Sequence, residues 1–156
     1  MSAANSTTTT SSSEQPQQTK VPIRWDSAST VRDALTSKSD MKMVVCCFAE
    51  PFSPISTTLA RWFEEIRMGD SVTYAQIFIL DPFENSQFAS ECGIKTSPAV
   101  VLFWDGKPVS IQRNGWDEDT KIVGVSTKEN YINVIRLLRE VGEEEKYPML
   151  LKVENL

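Results

Sequence analysis

The chain has 156 residues, 40% of them apolar and 24% charged, with a net charge of -5 and no histidine. That length and apolar content suit one packed domain with room for a tail, and the acidic balance argues against a surface that holds nucleic acid directly through its phosphates. The lack of histidine removes Ser-His and Cys-His nucleophile pairs and every His-ligated metal.

Residues 1–20 are almost wholly Ser, Thr, Gln and small residues, with no apolar face that could offset the entropy of ordering, so they read as a disordered tail. Val21 to Trp25 reads as a short extended piece entering the fold, with Pro22 favouring an edge. Ser29 or Thr30 can cap a helix running to about Ser37, with Val31, Ala34 and Leu35 on one stripe. Met41 to Ala49 is nearly continuous in apolar residues, the pattern of a strand covered on both faces.

Ser53 as N-cap and Pro54 at the first helical position open a helix whose Ile55, Leu59, Trp62, Phe63 and Ile66 recur at helical spacing. Tyr74 to Leu80 is a second buried strand. A short helix follows Asp81-Pro82, carries Phe88 and Cys92, and ends at Gly93. Ala99 to Trp104 is a third apolar strand, and Asp105-Gly106 predicts a hairpin that returns antiparallel through about Val109 to Arg113.

A capping box, Ser126 with Glu129, predicts a last helix with Tyr131, Val134, Ile135 and Leu138 on one face before Gly142. The 143–156 extension is first acidic, then apolar over Tyr147 to Leu151, a segment suited to docking. The order reads strand, helix, strand, helix, strand, helix, strand, strand, helix. It predicts a mixed α/β sheet with helices on both faces.

No apolar run reaches the length of a membrane span and no secretory signal is legible, so the expectation is an intracellular protein, nuclear or cytoplasmic, with no membrane partner. Cys46, Cys47 and Cys92 do not form a disulfide framework. The first two adjoin in a strand and point to opposite faces, so all three read as reduced thiols. The acidic runs Asp117 to Asp119 and Glu143 to Glu145 lack the ligand spacing of a metal site and read as solvated charge. Neither a metal nor a cofactor is expected.

Two stretches, set in that element order, carry a resemblance. Phe48-Ala49-Glu50-Pro51-Phe52-Ser53-Pro54-Ile55 resembles the redox turn of thioredoxin, and Gly93 to Ala99 followed by Phe103-Trp104-Asp105-Gly106-Lys107 resembles its cis-proline loop and the strand beyond. The resemblance spans residues 21–142 and implies a thioredoxin-like fold with a cis bond before Pro98. Carried across, the two redox cysteines fall on Phe52 and Ile55, and the buried acid falls on Cys46. Neither Phe nor Ile can form a thiolate or a mixed disulfide, so no oxidoreductase chemistry of that kind is expected.

The insertion at 114–125, with Thr120-Lys121-Ile122-Val123-Gly124, is similar to the DIM family, the thioredoxin-like spliceosomal proteins of about fifteen kilodaltons. That likeness implies a redox-inactive nuclear subunit that docks on protein partners of the mRNA splicing machinery. Its candidate contact surface is Pro51, Phe52, Ser53, Pro54, Ile55 and Pro98, with Trp116 as a candidate partner anchor. At this stage Phe52 either faces a partner or folds back on the domain, and Trp116 either anchors a partner or closes over the sheet. Two other functions stay open: a lone redox thiol on Cys46, Cys47 or Cys92, and a cytoplasmic adaptor unrelated to splicing. The oligomeric state and the partner's identity are not legible.

Overall fold

Four strands of the central sheet come from three apolar runs and one tight turn. The computed structural model describes residues 21–144, 150–154 and 156; the proposed 1–20 tail and the apolar residues Tyr147 to Met149 lie outside the described residues. The elements are α1 (Ala28–Thr36), β1 (Met43–Phe48), α2 (Pro54–Met68), β2 (Ala75–Leu80), α3 (Ser86–Glu91), β3 (Ala99–Trp104), β4 (Lys107–Pro108), β5 (Ser110–Arg113), β6 (Ile122–Val123), α4 (Lys128–Glu143) and β7 (Leu150–Val153).

The main sheet runs β2-β1-β3-β4, with β6 also on β3. β1 is parallel to β2, as the α2 crossover requires, and antiparallel to β3. All six residues of β1 are buried, because the sheet is covered on both faces. Met43, Val45 and Cys47 pack with Leu59 and Phe63 of α2 and Tyr131, Ile135 and Leu138 of α4. Val44, Cys46 and Phe48 point the other way, to Val31 of α1 and Phe88 and Ala89 of α3. The two adjacent thiols thus sit in different halves of the core, as strand alternation dictates.

The structure corrects several boundaries. Residues 21–27 form no strand: Asp26 N–H bonds Ile79 O at 2.8 Å while the Asp26 carboxylate takes Ile79 N–H at 2.9 Å, so a side chain occupies one rung of the edge of β2. Ser27, not Ser29 or Thr30, caps α1, and Thr127, not Ser126, caps α4, accepting Asn130 N–H at 3.1 Å. In both cases the helix starts where a hydroxyl can reach back to the N3 amide, and neighbouring serines compete for that place.

The hairpin at Asp105-Gly106 forms, with both residues at positive φ; Lys107 and Pro108 pair with β3, and the Val109 amide adds one last bond to Leu102 O at 2.9 Å. The expected Val109–Arg113 strand does not continue on this sheet. After Val109 the chain turns away, and β5 pairs in parallel with β7 from Ser110↔Leu150 to Arg113↔Val153. Leu151, fully buried, joins the same core as α4. The C-terminal apolar segment therefore docks by adding a strand. Gly142 does not end α4; it lies inside the helix, where a Cβ would stand 2.5 Å from the Trp104 ring.

Candidate functional site

The parallel strands β1 and β2 deliver two turns to the same end of the sheet, the carboxyl end where α/β sheets commonly present ligand sites. After β1, Ser53 N–H bonds Glu50 O at 3.2 Å, and Ser53 Oγ accepts Ser56 N–H at 3.4 Å as the cap of α2. Pro54 occupies the first helical turn, where it forfeits no hydrogen bond. This cap holds the turn in one shape and leaves Phe52 and Ile55 facing outward, 73% and 63% exposed. Pro51 and Pro54 are exposed beside them, while Ser53 is half-buried and engaged in the cap.

The second turn supplies a residue that sequence reasoning missed. Phe83 is 64% exposed, and its ring lies 5.8 Å from that of Phe52, tilted by 36°. The Asp81-Pro82 turn presents it: Asp81 Oδ1 takes Phe83 N–H at 2.9 Å, and Asp81 O takes Asn85 N–H at 3.0 Å. The signal was an aromatic in a polar turn directly after a buried strand, where no core position was available to it. The two rings touch each other and leave most of their surface in solvent. Phe52 thus does not fold back onto the domain.

Pro98 follows the third segment at this end. The Ser97–Pro98 bond is cis, as the resemblance implies, and Pro98 itself is buried. That burial corrects its placement on the contact surface: its ring is inside, and its carbonyl accepts Gly124 N–H at 2.9 Å. Between the first turn and this loop runs a groove of 450 Å³, with Glu50, Phe83, Ile94, Lys95, Thr96 and Ser97 along it.

The insertion is built in rather than draped over the fold. Ile122 and Val123 pair with Val100 and Ala99 of β3, and the buried Tyr131 hydroxyl accepts Ser126 N–H at 3.0 Å and donates to Gly124 O at 3.3 Å. Trp116 lies apart from the Phe52 turn in the fold's pairing scheme, next to β5. It is 61% exposed, with the Arg113 guanidinium 4.4 Å from its ring, and it does not close over the sheet. Of the acidic run, Asp119 pairs with Lys121 at 3.1 Å, and burial opposed by that ion pair leaves its carboxyl below the usual range.

The three thiols lie outside the turn. Burial pushes Cys46 far up, with Cys92 and Cys47 adding to it, and burial likewise pushes Cys47 far up. Cys92 is half-buried; burial and the neighbouring Glu91 raise it to about 11, against the pull of Arg32. The cation acting on it is Arg32, which does not bring the thiol near neutrality. Among the described residues, no cluster of acids and thiols could hold a metal ion, and no helix is long and apolar enough to cross a membrane.

No protein-family model matches the chain, and no curated protein matches it. Solved structures do. A point mutant of thioredoxin from Halobacterium salinarum is 23% identical, with a TM-score of 0.55 over 72% of this chain and 86% of that one. Thioredoxin from Malassezia sympodialis is 21% identical, with a TM-score of 0.55 over 74% and 92%. Chloroplastic thioredoxin z is 13% identical, with a TM-score of 0.58 over 77% and 96%. Likeness at this level fixes the fold: the chain has a thioredoxin-like fold, a mixed central sheet with helices on both faces.

Proposed function

We propose that this protein is a non-catalytic interaction module, in which the turn that carries reactive cysteines in thioredoxins has become an apolar docking platform. The observation that carries the reading is the exposed pair Phe52 and Phe83, with Ile55 beside them on the capped turn. No thiol stands there, and the thiols elsewhere are protonated at neutral pH. Exposed aromatics held rigidly on an ordered turn suit a binding hot spot, because little conformational entropy is lost when a partner covers them.

The partner class follows from the DIM-like insertion: a protein of the splicing machinery or a related ribonucleoprotein assembly, with a nuclear location. Contact is to protein rather than to nucleic acid, consistent with the net charge of -5. Affinity capture of the full chain from nuclear extract, followed by mass spectrometry, tests this. Splicing proteins should be recovered with the wild type and lost with Phe52→Glu and Phe83→Glu, both substitutions at exposed positions outside the core, with circular dichroism checking the fold of each. Recovery of only non-splicing proteins removes the spliceosomal part. Recovery unaffected by either substitution removes the platform. Reduction of insulin or consumption of peroxide, abolished by Cys→Ser changes, would establish an enzyme instead.

A further inference from the structure

We infer that the chain carries a second site, which shares no lining residue with the Phe52 turn: an apolar pocket that takes a small amphipathic carboxylate. The cavity measures 420 Å³ and lies on the α1/α3 face of the sheet, a size ordinary for small-molecule sites. Pro108 of β4 and Thr120, just before β6, both line it, so it lies where the edge of β3 passes from one partner strand to the other. β4 pairs with Phe103 and Trp104, the Val109 amide bonds Leu102 O at 2.9 Å, and β6 pairs with Ala99 and Val100, so this edge of β3 changes partner at Val101. Val101 and Phe103 line the cavity together with Leu35 from α1 and Phe88 from α3. α1 ends at Thr36 and α3 at Glu91, and the last turn of each contributes to the wall.

The mouth is polar on one side. Arg32 and Glu91 bridge the two helices at 2.8 Å, with Thr36 and Thr120 also lining the cavity. Arg32 is the sole cation among the lining residues, and its guanidinium lies 5.0 Å from the centre of the Phe88 ring, which fixes it at the edge of the apolar walls. A guanidinium has five donors, more than one carboxylate oxygen can use. The ion pair is about half exposed on both sides, so it is weak and opens readily. An incoming carboxylate can therefore share or take over Arg32 while its chain replaces solvent against Val101, Phe103, Phe88 and Leu35. A neutral hydroxyl can accept from Arg32 only without the added charge, a weaker bond, and that difference defines the ligand class.

Decanoate below its micelle concentration, titrated into the full ¹⁵N-labelled chain, tests the inference, with decanol as the uncharged control. Saturable shifts are expected at Leu35, Phe88, Cys92 and Val101, with Phe52 and Phe83 unmoved. Arg32→Gln should weaken decanoate about tenfold and decanol much less, since the charge-assisted hydrogen bond is lost only with the carboxylate. Thr36→Trp, on the exposed end of α1, should fill the mouth and abolish binding of both while the amide spectrum stays dispersed. Absence of shifts, shifts confined to the Phe52 end, or equal binding to the wild type and Thr36→Trp would each overturn it.

Discussion

Arg67 is the residue whose removal this structure makes most costly without touching the proposed site. From the last turn of α2 it makes five hydrogen bonds: Nε to Glu64 Oε2 at 3.0 Å, Nη1 to Asp26 Oδ2 at 2.7 Å and to Ile77 O at 3.0 Å, and Nη2 to Arg24 O at 2.8 Å and to Glu64 Oε1. Side-chain exposures of Arg67, Asp26 and Glu64 are 12%, 10% and 5%, so water cannot replace the guanidinium once it is gone. Arg67→Met keeps the packing of the stem but leaves Glu64 with only the Arg24 amide, at 2.7 Å, to balance a buried charge. Breaking a buried pair from one side costs about 3–5 kcal/mol. At roughly 2–4 °C per kcal/mol for a chain of this size, the midpoint should fall by roughly 6–20 °C. Heat and urea unfolding followed by circular dichroism read both.

The same network sets a pH dependence. Burial alone would raise the Glu64 carboxyl, but the Arg67 hydrogen bonds and the Arg24 amide hold it below its ordinary 4.5. A carboxyl lowered in the folded state contributes fully above its unfolded value and loses that contribution as pH falls through the folded value. The stability gap between wild type and Glu64→Gln should therefore be flat from about pH 5 to 8 and close in acid. A double-mutant cycle of Arg67→Met with Glu64→Gln should show coupling of about 0.5–3 kcal/mol. A loss below about 1 kcal/mol for Arg67→Met at neutral pH, or strict additivity of the pair, would refute the reasoning.

Three further outcomes are expected. Gly142→Ala, which in an open helix would gain about 1 kcal/mol, should instead destabilise by roughly 1–2 kcal/mol in urea, because the new methyl meets the Trp104 ring at 2.5 Å. Leu151→Ala should cost about 2–5 kcal/mol in the same assay, since that side chain is fully buried in the main core cluster; a neutral result would detach β7 from the domain. Iodoacetamide should label native Cys92 slowly at neutral pH and faster as pH climbs toward 11, while Cys46 and Cys47 react only on unfolding, as mass spectrometry of timed quenches would show.

The three long strands and two long helices were legible because each is fixed by its own residues. Met43 to Phe48 and Ala99 to Trp104 are apolar without interruption, and the Ser53-Pro54 start leaves little choice of helix origin. The elements that were misread depend on partners far away in the chain. β5 is an ordinary continuation of a hairpin until Leu150 to Val153 offers it a second sheet, 40 residues downstream at Ser110↔Leu150. β6 is two residues in a polar loop, visible only because Val100 and Ala99 have a free edge for it. The cap at Ser27 is one hydroxyl among several, decided by backbone geometry rather than residue type. At the site, the lack of a thiol between Pro51 and Ile55 is plain in the sequence, but the neighbouring ring is not, since Phe83 reaches Phe52 only after β2 is laid parallel to β1.

That juxtaposition also bears on what a capped turn at this place in the fold does when it carries no thiol. In a redox turn, the helix N-terminus beside the turn lowers a thiol's pKa by offering unpaired amides and the positive end of the helix dipole. Here the first turn of α2 contains no acidic group and no thiol, and Ser53 accepts the Ser56 amide itself. The electrostatic device has nothing to act on. What the cap still does is hold the backbone of Pro51 and Phe52 in place, and what β2 and its turn still do is bring Phe83 to it. Burying either ring in the core would stabilise the fold by about 2 kcal/mol on area alone, yet both stay in solvent. Two aromatics are thus kept outward at one end of the sheet, on turns tied down by their own hydrogen bonds, which is the surface that the proposed docking role uses.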